Sequence, residues 1–150
     1  MIWTSFSGRT GPGRIYFLPG KERLNAAKYQ GILNTHLNLK KKTILQDRAP
    51  PHRAKSTIKF LTDKNIESIF LPPSSLDLNP IENAFSVLKR KLESEDVSTR
   101  RKLQSSIEKN WKLLKKSYFL NLSHSMPRRL KEVVTNLELL LSTDFMINKQ

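Results

Sequence analysis

The sequence predicts an α/β fold with a helical C-terminal part, on three observations. Two short runs of strand-forming residues, 1–6 and 14–18, flank a glycine-rich stretch. Between residues 25 and 71, helical apolar spacing alternates with short apolar runs of strand type. From residue 80 onward the apolar residues recur with the helical period.

Met1 to Phe6 and Arg14 to Leu18 read as two strands of a hairpin, with Gly8, Gly11, Pro12 and Gly13 supplying the turn. Asn25 is a good N-cap for a helix in which Ala26, Tyr29, Leu33 and Leu37 form one apolar stripe. Lys40-Lys41-Lys42 follows, near the negative end of that helix dipole. Thr43 to Gln46 is a short strand. Ala54, Ile58 and Leu61 mark a helix ending near Asn65, and Ile66 to Leu71 a further strand, stopped by Pro72-Pro73-Ser74-Ser75 because proline cannot donate to a ladder. Asn79 caps the next helix, Pro80 fits its first turn, and Ile81, Phe85, Leu88 and Leu92 form its buried stripe. Glu93 to Asp96 divides residues 1–93, the α/β core, from 94–150, a helical extension of the same domain. In that extension Leu103, Ile107, Trp111 and Leu114 make one amphipathic helix, and Leu130, Val133, Val134, Leu137 and Leu141 another.

At 150 residues, 37% hydrophobic and 27% charged, the chain can bury a core and is neither wholly disordered nor membrane-spanning; no apolar run approaches the ~20 residues a spanning helix needs. It opens without the basic and apolar regions of a secretory signal. The absence of cysteine removes disulfides and thiolate zinc sites, which fits the cytosol or nucleus. Against 13 acids stand 27 Lys and Arg, a net charge of +14, which favours a polyanionic partner because phosphate neutralisation releases counterions. The cations cluster at Lys40-Lys41-Lys42, Lys89-Arg90-Lys91, Arg100-Arg101-Lys102, Lys115-Lys116 and Arg128-Arg129, each of which also reads as solvated surface, or for Lys89-Arg90-Lys91 as the outer face of a helix.

Two acids stand where a carboxylate could meet a metal. Asp47 ends the Thr43–Gln46 strand, and Glu82 falls at the third position of the helix that Asn79 caps. Each has a plainer alternative: Asp47 as a turn cap before Ala49-Pro50-Pro51, Glu82 as the acidic half of a capping arrangement. His52 could orient Asp47, touch DNA, or be structural in its proline turn. Trp3 and Trp111 read as core residues.

Gln46-Asp47-Arg48-Ala49-Pro50-Pro51-His52, then Asp77-Leu78-Asn79-Pro80-Ile81-Glu82-Asn83 with the 34 residues 48–81 between the two acids, resembles the catalytic domain of mariner-type DNA transposases. The likeness extends to Trp3-Thr4-Ser5-Phe6-Ser7-Gly8, Gly13-Arg14-Ile15-Tyr16-Phe17-Leu18, Leu88-Lys89-Arg90 and Ser125-Met126-Pro127-Arg128-Arg129. The resemblance implies an RNase H-like mixed sheet flanked by helices and three metal-binding acids, the second mapping to Asp47 and the third to Glu82. It implies Mg²⁺ or Mn²⁺ as cofactor, double-stranded DNA as partner, a possible homodimer or full-length transposase as protein partner, no membrane, and the nucleus as location. Asp77 shapes the loop, since the metal glutamate aligns with Glu82. Lys40, Lys41, Lys42, Arg48, His52, Lys89, Arg90, Arg128 and Arg129 are its candidate DNA contacts. Arg48 stands where the family usually has asparagine, and a guanidinium there could pair with Asp47 and compete with a metal. The first acid has no counterpart: only Glu22 precedes Asp47, between Lys21 and Arg23. The expectation is an N-terminally truncated fragment, lacking the first strand and the DNA-reading module and inactive alone; the alternative is a non-catalytic basic protein that binds DNA or a transposase. After Val134 the resemblance fades, the helical pattern continuing where relatives turn at a glycine.

Overall fold

A computed structural model describes residues 1–20, 22–37, 43–73, 75 and 78–147, with 137–147 described by backbone alone. The expected DNA contacts Lys40, Lys41 and Lys42, and the loop residue Asp77, lie outside the described residues.

The N-terminal hairpin forms, but as four short strands. Ile2–Trp3 (β1) pairs antiparallel with Tyr16–Phe17 (β4), and Phe6–Ser7 (β2) with Gly11–Pro12 (β3). Between the two pairs the Thr4 hydroxyl donates to the Arg14 carbonyl at 3.0 Å, and the Gly13 N–H to the Ser5 carbonyl at 2.7 Å. A Cβ on Gly13 would lie 2.8 Å from that Ser5 oxygen, so this crossing requires glycine. Gly11, at φ +88°, and Pro12 belong to β3, which shortens the expected turn to its first residues.

Helix α1 (Ala26–His36) starts where the Asn25 side chain accepts from the Lys28 N–H at 2.9 Å. Thr43–Gln46 (β5) and Glu67–Phe70 (β6) pair in parallel, Thr43 opposite Glu67 and Gln46 opposite Phe70. A parallel pair needs a crossover; here it is the short α2 (Pro50–Arg53) followed by α3 (Lys55–Asp63). Asn65, at φ 55°, turns the chain out of α3 and into β6. The α3 stripe differs from expectation: Ile58 is 44% exposed, whereas Thr57 and Leu61 are buried. Thr57 takes the inward place because its hydroxyl donates to the Pro51 carbonyl at 2.8 Å, which removes the cost of burying it.

Parallel and antiparallel pairings are both present, as a mixed sheet requires, but in three separate two-stranded pairs. Trp3 from β1 and Ile44 from β5 both pack against the cluster Tyr29, Leu33, Leu61 and Ile66. Each strand is thus held to α1 by side-chain burial and not by a shared ladder.

A second cluster joins α4 (Pro80–Leu92), α5 (Arg100–Lys112) and α6 (Lys116–His124) through Ala84, Leu88, Ile107, Trp111, Leu114, Phe119 and Leu122, with Phe6, Ile15 and Phe17 of the hairpin against it. This cluster continues across residues 93–96. Trp111, 2% exposed, donates its indole N–H to the Gly13 carbonyl at 2.8 Å, tying hairpin to helix. Its burial is worth at most about 5 kcal/mol by area. Both tryptophans are core residues, as expected. Helix α6 was not expected: it is short, and its buried pair Phe119 and Leu122 is too brief a pattern to register. In α7 (Met126–Ile147) the expected stripe residues Leu130 and Val134 are 48% and 53% exposed. Among the described residues no helix is long and apolar enough to cross a membrane.

Candidate active site

Asp47 is the first residue beyond β5. The strand's alternation places Gln46 inward and leaves the Asp47 side chain 56% exposed. Its Oδ1 accepts the Ala49 N–H at 2.9 Å, which closes an Asx turn, and lies 2.6 Å from His52 Nδ1. An ionised carboxylate only accepts, so His52 donates through Nδ1–H. The turn-cap alternative therefore holds for Oδ1, while Oδ2 has no hydrogen-bond partner among the described residues.

Arg48, which could have paired with Asp47, does not. Arg48 Nε donates to the Leu71 carbonyl at 3.1 Å, and the side chain that meets the acid is His52. The reason is geometric: the Leu71 N–H donates to the Gln46 carbonyl at 2.9 Å, extending the β5–β6 ladder and bringing an unsatisfied carbonyl within reach of Arg48. The same bond makes the chain leave β6 beside Asp47, before it enters α4 at Pro80.

Glu82 is at the third position of α4, half-buried. Asn79 caps the helix by accepting from the Ile81 N–H at 3.4 Å. The reciprocal half of a capping box is not made, and the Glu82 carboxylate has no partner among the described residues. Glu22 pairs with Lys28. Among the described residues no group of three acid, histidine or cysteine side chains is placed to hold a metal. Asp47 Oδ2 and the Glu82 oxygens are nonetheless the hard, unengaged donors that Mg²⁺ or Mn²⁺ takes.

Support for Asp47 comes from residues whose chemistry the sequence did not single out. Tyr29, 2% exposed, donates its hydroxyl to Gln46 Oε1, and Gln46 Nε2 donates to the Ser68 hydroxyl at 2.7 Å. The Tyr29 ring lies against the His52 ring, centroids 4.2 Å apart. Burial, and then the charge of Asp47, push the Tyr29 hydroxyl pKa well above its ordinary value, so it remains a donor. The available signal was polar atoms at inward positions, Gln46 and the Tyr29 hydroxyl, which must find partners.

Of the candidate DNA contacts, Arg90 and Arg129 lie near the same side chain, Tyr118. Burial raises the Tyr118 hydroxyl pKa, and the charges of Arg90 and Arg129 both pull it back, which puts the end of α4 and the start of α7 beside the same phenol. Arg128 pairs with Glu132 at 2.6 Å, and Arg129 Nε donates to the Ser125 hydroxyl at 2.9 Å. His52 Nδ1 meets Asp47, and Arg48 Nε donates to the Leu71 carbonyl.

A sequence model of the DDE superfamily endonucleases matches residues 5–104. The chain is 29% identical over 143 residues to the transposase of transposable element Tc3 of Caenorhabditis elegans, covering 89% of this chain and 43% of that protein. It is 28% identical over 141 residues to the Tcb1 transposase of Caenorhabditis briggsae, covering 89% and 50%. The chain thus spans about half the length of these relatives or less. Among solved structures, the catalytic domain of the Mos1 mariner transposase superposes with a TM-score of 0.78 at 18% identity, over 90% of this chain and 72% of that one. The Mos1 strand transfer complex gives 0.80 at 22% identity, over 90% and 42%. Other Mos1 structures contain Mg or Mn. The fold is therefore the RNase H-like α/β fold of that catalytic domain, and with two thirds of its length matched by the family model, the chain belongs to the DDE superfamily endonucleases.

Proposed function

We propose that this chain supplies part of the metal-dependent catalytic core of a cut-and-paste DNA transposase, acting on double-stranded DNA in the nucleus. The observation that carries it is Asp47: an exposed carboxylate at a strand end, held through one oxygen and free at the other among the described residues, inside the family-matched segment. Asp47 Oδ2 and the Glu82 carboxylate would hold Mg²⁺ or Mn²⁺, facing each other across one cleft. An ion held there would supply activation of the attacking oxygen and stabilisation of the leaving oxygen at a phosphodiester. The cations around Tyr118 neutralise phosphates and position the duplex without reading its sequence. Two acids do not complete a three-acid site, so the chain alone binds metal weakly and leaves DNA uncut; a second copy or a full-length transposase is its protein partner.

A second reading, a basic DNA-binding or transposase-binding protein without chemistry, is favoured by the +14 charge and by the lack of a three-ligand cluster among the described residues. Titration with Mn²⁺ followed by amide NMR separates the two. Broadening at residues 47–49 and 81–83 with one common affinity supports the shared metal site. Broadening at one acid alone, or at neither, refutes it and leaves the non-catalytic reading.

A further inference from the structure

We propose that His52 is a positioning residue for Asp47, and that the stack of His52 on Tyr29, itself pinned by Gln46 and Ser68, holds one carboxylate oxygen so that the other stays aimed outward for a metal. The proposal rests on Asp47 being a metal-binding acid, and it names how this chain pre-orders that acid.

The side chain of Asp47 is 56% exposed, and an aspartate so placed would sample several rotamers. It is fixed through one oxygen only. Both its contacts, the Ala49 N–H and His52 Nδ1, meet Oδ1. The backbone contact comes with the turn and would hold in any sequence that makes the turn. The His52 contact needs the imidazole at one place and one rotation, and the surroundings supply both. His52 is only 13% exposed, and its ring lies against Tyr29 at 4.2 Å with the planes 37° apart. Tyr29 cannot drift, because its hydroxyl donates to Gln46 Oε1. Gln46 in turn is anchored at its other amide atom, because Nε2 donates to Ser68 on the neighbouring strand. The chain of contacts runs from the β5–β6 ladder to the carboxylate through side chains that are buried or largely buried. Outer partners of this kind set the orientation of metal ligands, and their loss costs about 10–100-fold in metal affinity or activity.

Three variants separate positioning from packing. His52→Phe keeps a ring on Tyr29 and removes the donor, while His52→Asn returns an N–H donor close to the Nδ1 position. Mn²⁺ affinity at Asp47 should fall about tenfold in His52→Phe and recover in His52→Asn, although the asparagine packs worse on Tyr29 and melts lower. A packing role predicts the reverse order, with His52→Asn the weaker binder. Tyr29→Leu should lower affinity with the histidine still present.

A metal-free measurement keeps the proposal testable if the chain binds no Mn²⁺. The Hα–Hβ couplings of Asp47 should report one rotamer in the wild type and an average in His52→Phe, and ¹⁵N shifts of the wild-type imidazole should show the proton on Nδ1. Equal couplings in the two proteins, or a proton on Nε2 alone, overturn the proposal. Missing Mn²⁺ binding with the coupling difference intact overturns only the metal reading on which it rests.

Discussion

Removing the Tyr29 hydroxyl isolates one bond of the Asp47 support. In Tyr29→Phe the ring stays under His52, so the perturbation falls on Gln46 Oε1, an acceptor on a side chain 6% exposed. Flipping the amide would let Oε1 accept from the Ser68 hydroxyl but turn Nε2 toward the phenyl ring, so one polar atom of the amide is left buried and unsatisfied either way. That costs about 1–3 kcal/mol, and at about 3 °C per kcal/mol for a chain of this length the melting temperature should drop by roughly 3–9 °C. Circular dichroism at 222 nm on heating measures it. Tyr118→Phe is the control, a partly exposed hydroxyl expected to cost under about 0.5 kcal/mol. The Tyr29 phenol should also tell in alkali. Because the folded Tyr29 pKa lies above the ordinary value near 10, the unfolded chain loses this proton first as pH rises. Wild-type stability is full below about pH 10 and declines above it, and Tyr29→Phe lacks that part of the decline. A melting temperature within 1 °C of wild type, or an unchanged alkaline limb, would refute the claim that this hydroxyl is a buried, obligatory donor.

On the acid side, bonds from the Ser106 hydroxyl, Asn110 and Lys109 hold Glu95 at a pKa of about 2, and Lys102 with Ser98 holds Asp96 at about 2. Their stabilisation is present above the ordinary carboxylate range and is lost as pH falls toward 2, so a Glu95→Gln, Asp96→Asn double variant should show a flatter melting curve between about pH 5 and 2. Duplex binding should be sequence-independent and weaken steeply with salt; Arg90→Ala should reduce the log–log slope by about 0.9 in filter-binding titrations, and an unchanged slope would remove Arg90 from the phosphate surface. Supercoiled DNA incubated with the purified chain and Mg²⁺ or Mn²⁺ should stay uncut, and nicking lost in both Asp47→Ala and Glu82→Ala would show that two acids suffice. Leu33→Ala, at a site with no exposure, should cost about 2–5 kcal/mol by chemical denaturation.

Local chemistry was legible in the sequence wherever one residue's geometry is set by its immediate neighbours. Asn25 and Asn79 cap α1 and α4 because a short polar side chain before an apolar period has one good use, and Pro72-Pro73 ends β6 because proline has no N–H. The placement of Asp47 at a strand end and of Glu82 in a first helical turn followed from the same local rules, as did the burial of Trp111. What depends on partners distant in sequence needed the tertiary structure. Arg48 bonds to Leu71 and not to its neighbour Asp47, because the parallel register of β5 and β6 delivers a free carbonyl to it. Ile58 is exposed and Thr57 buried because Pro51, across the bend between α2 and α3, offers Thr57 an acceptor. Tyr29 looked like one more apolar stripe residue, yet its hydroxyl and ring face reach Gln46 and His52 from another element. Period and composition report which face of an element is buried, whereas hydrogen-bond partners across the fold decide which polar groups are buried with it and what they hold in place.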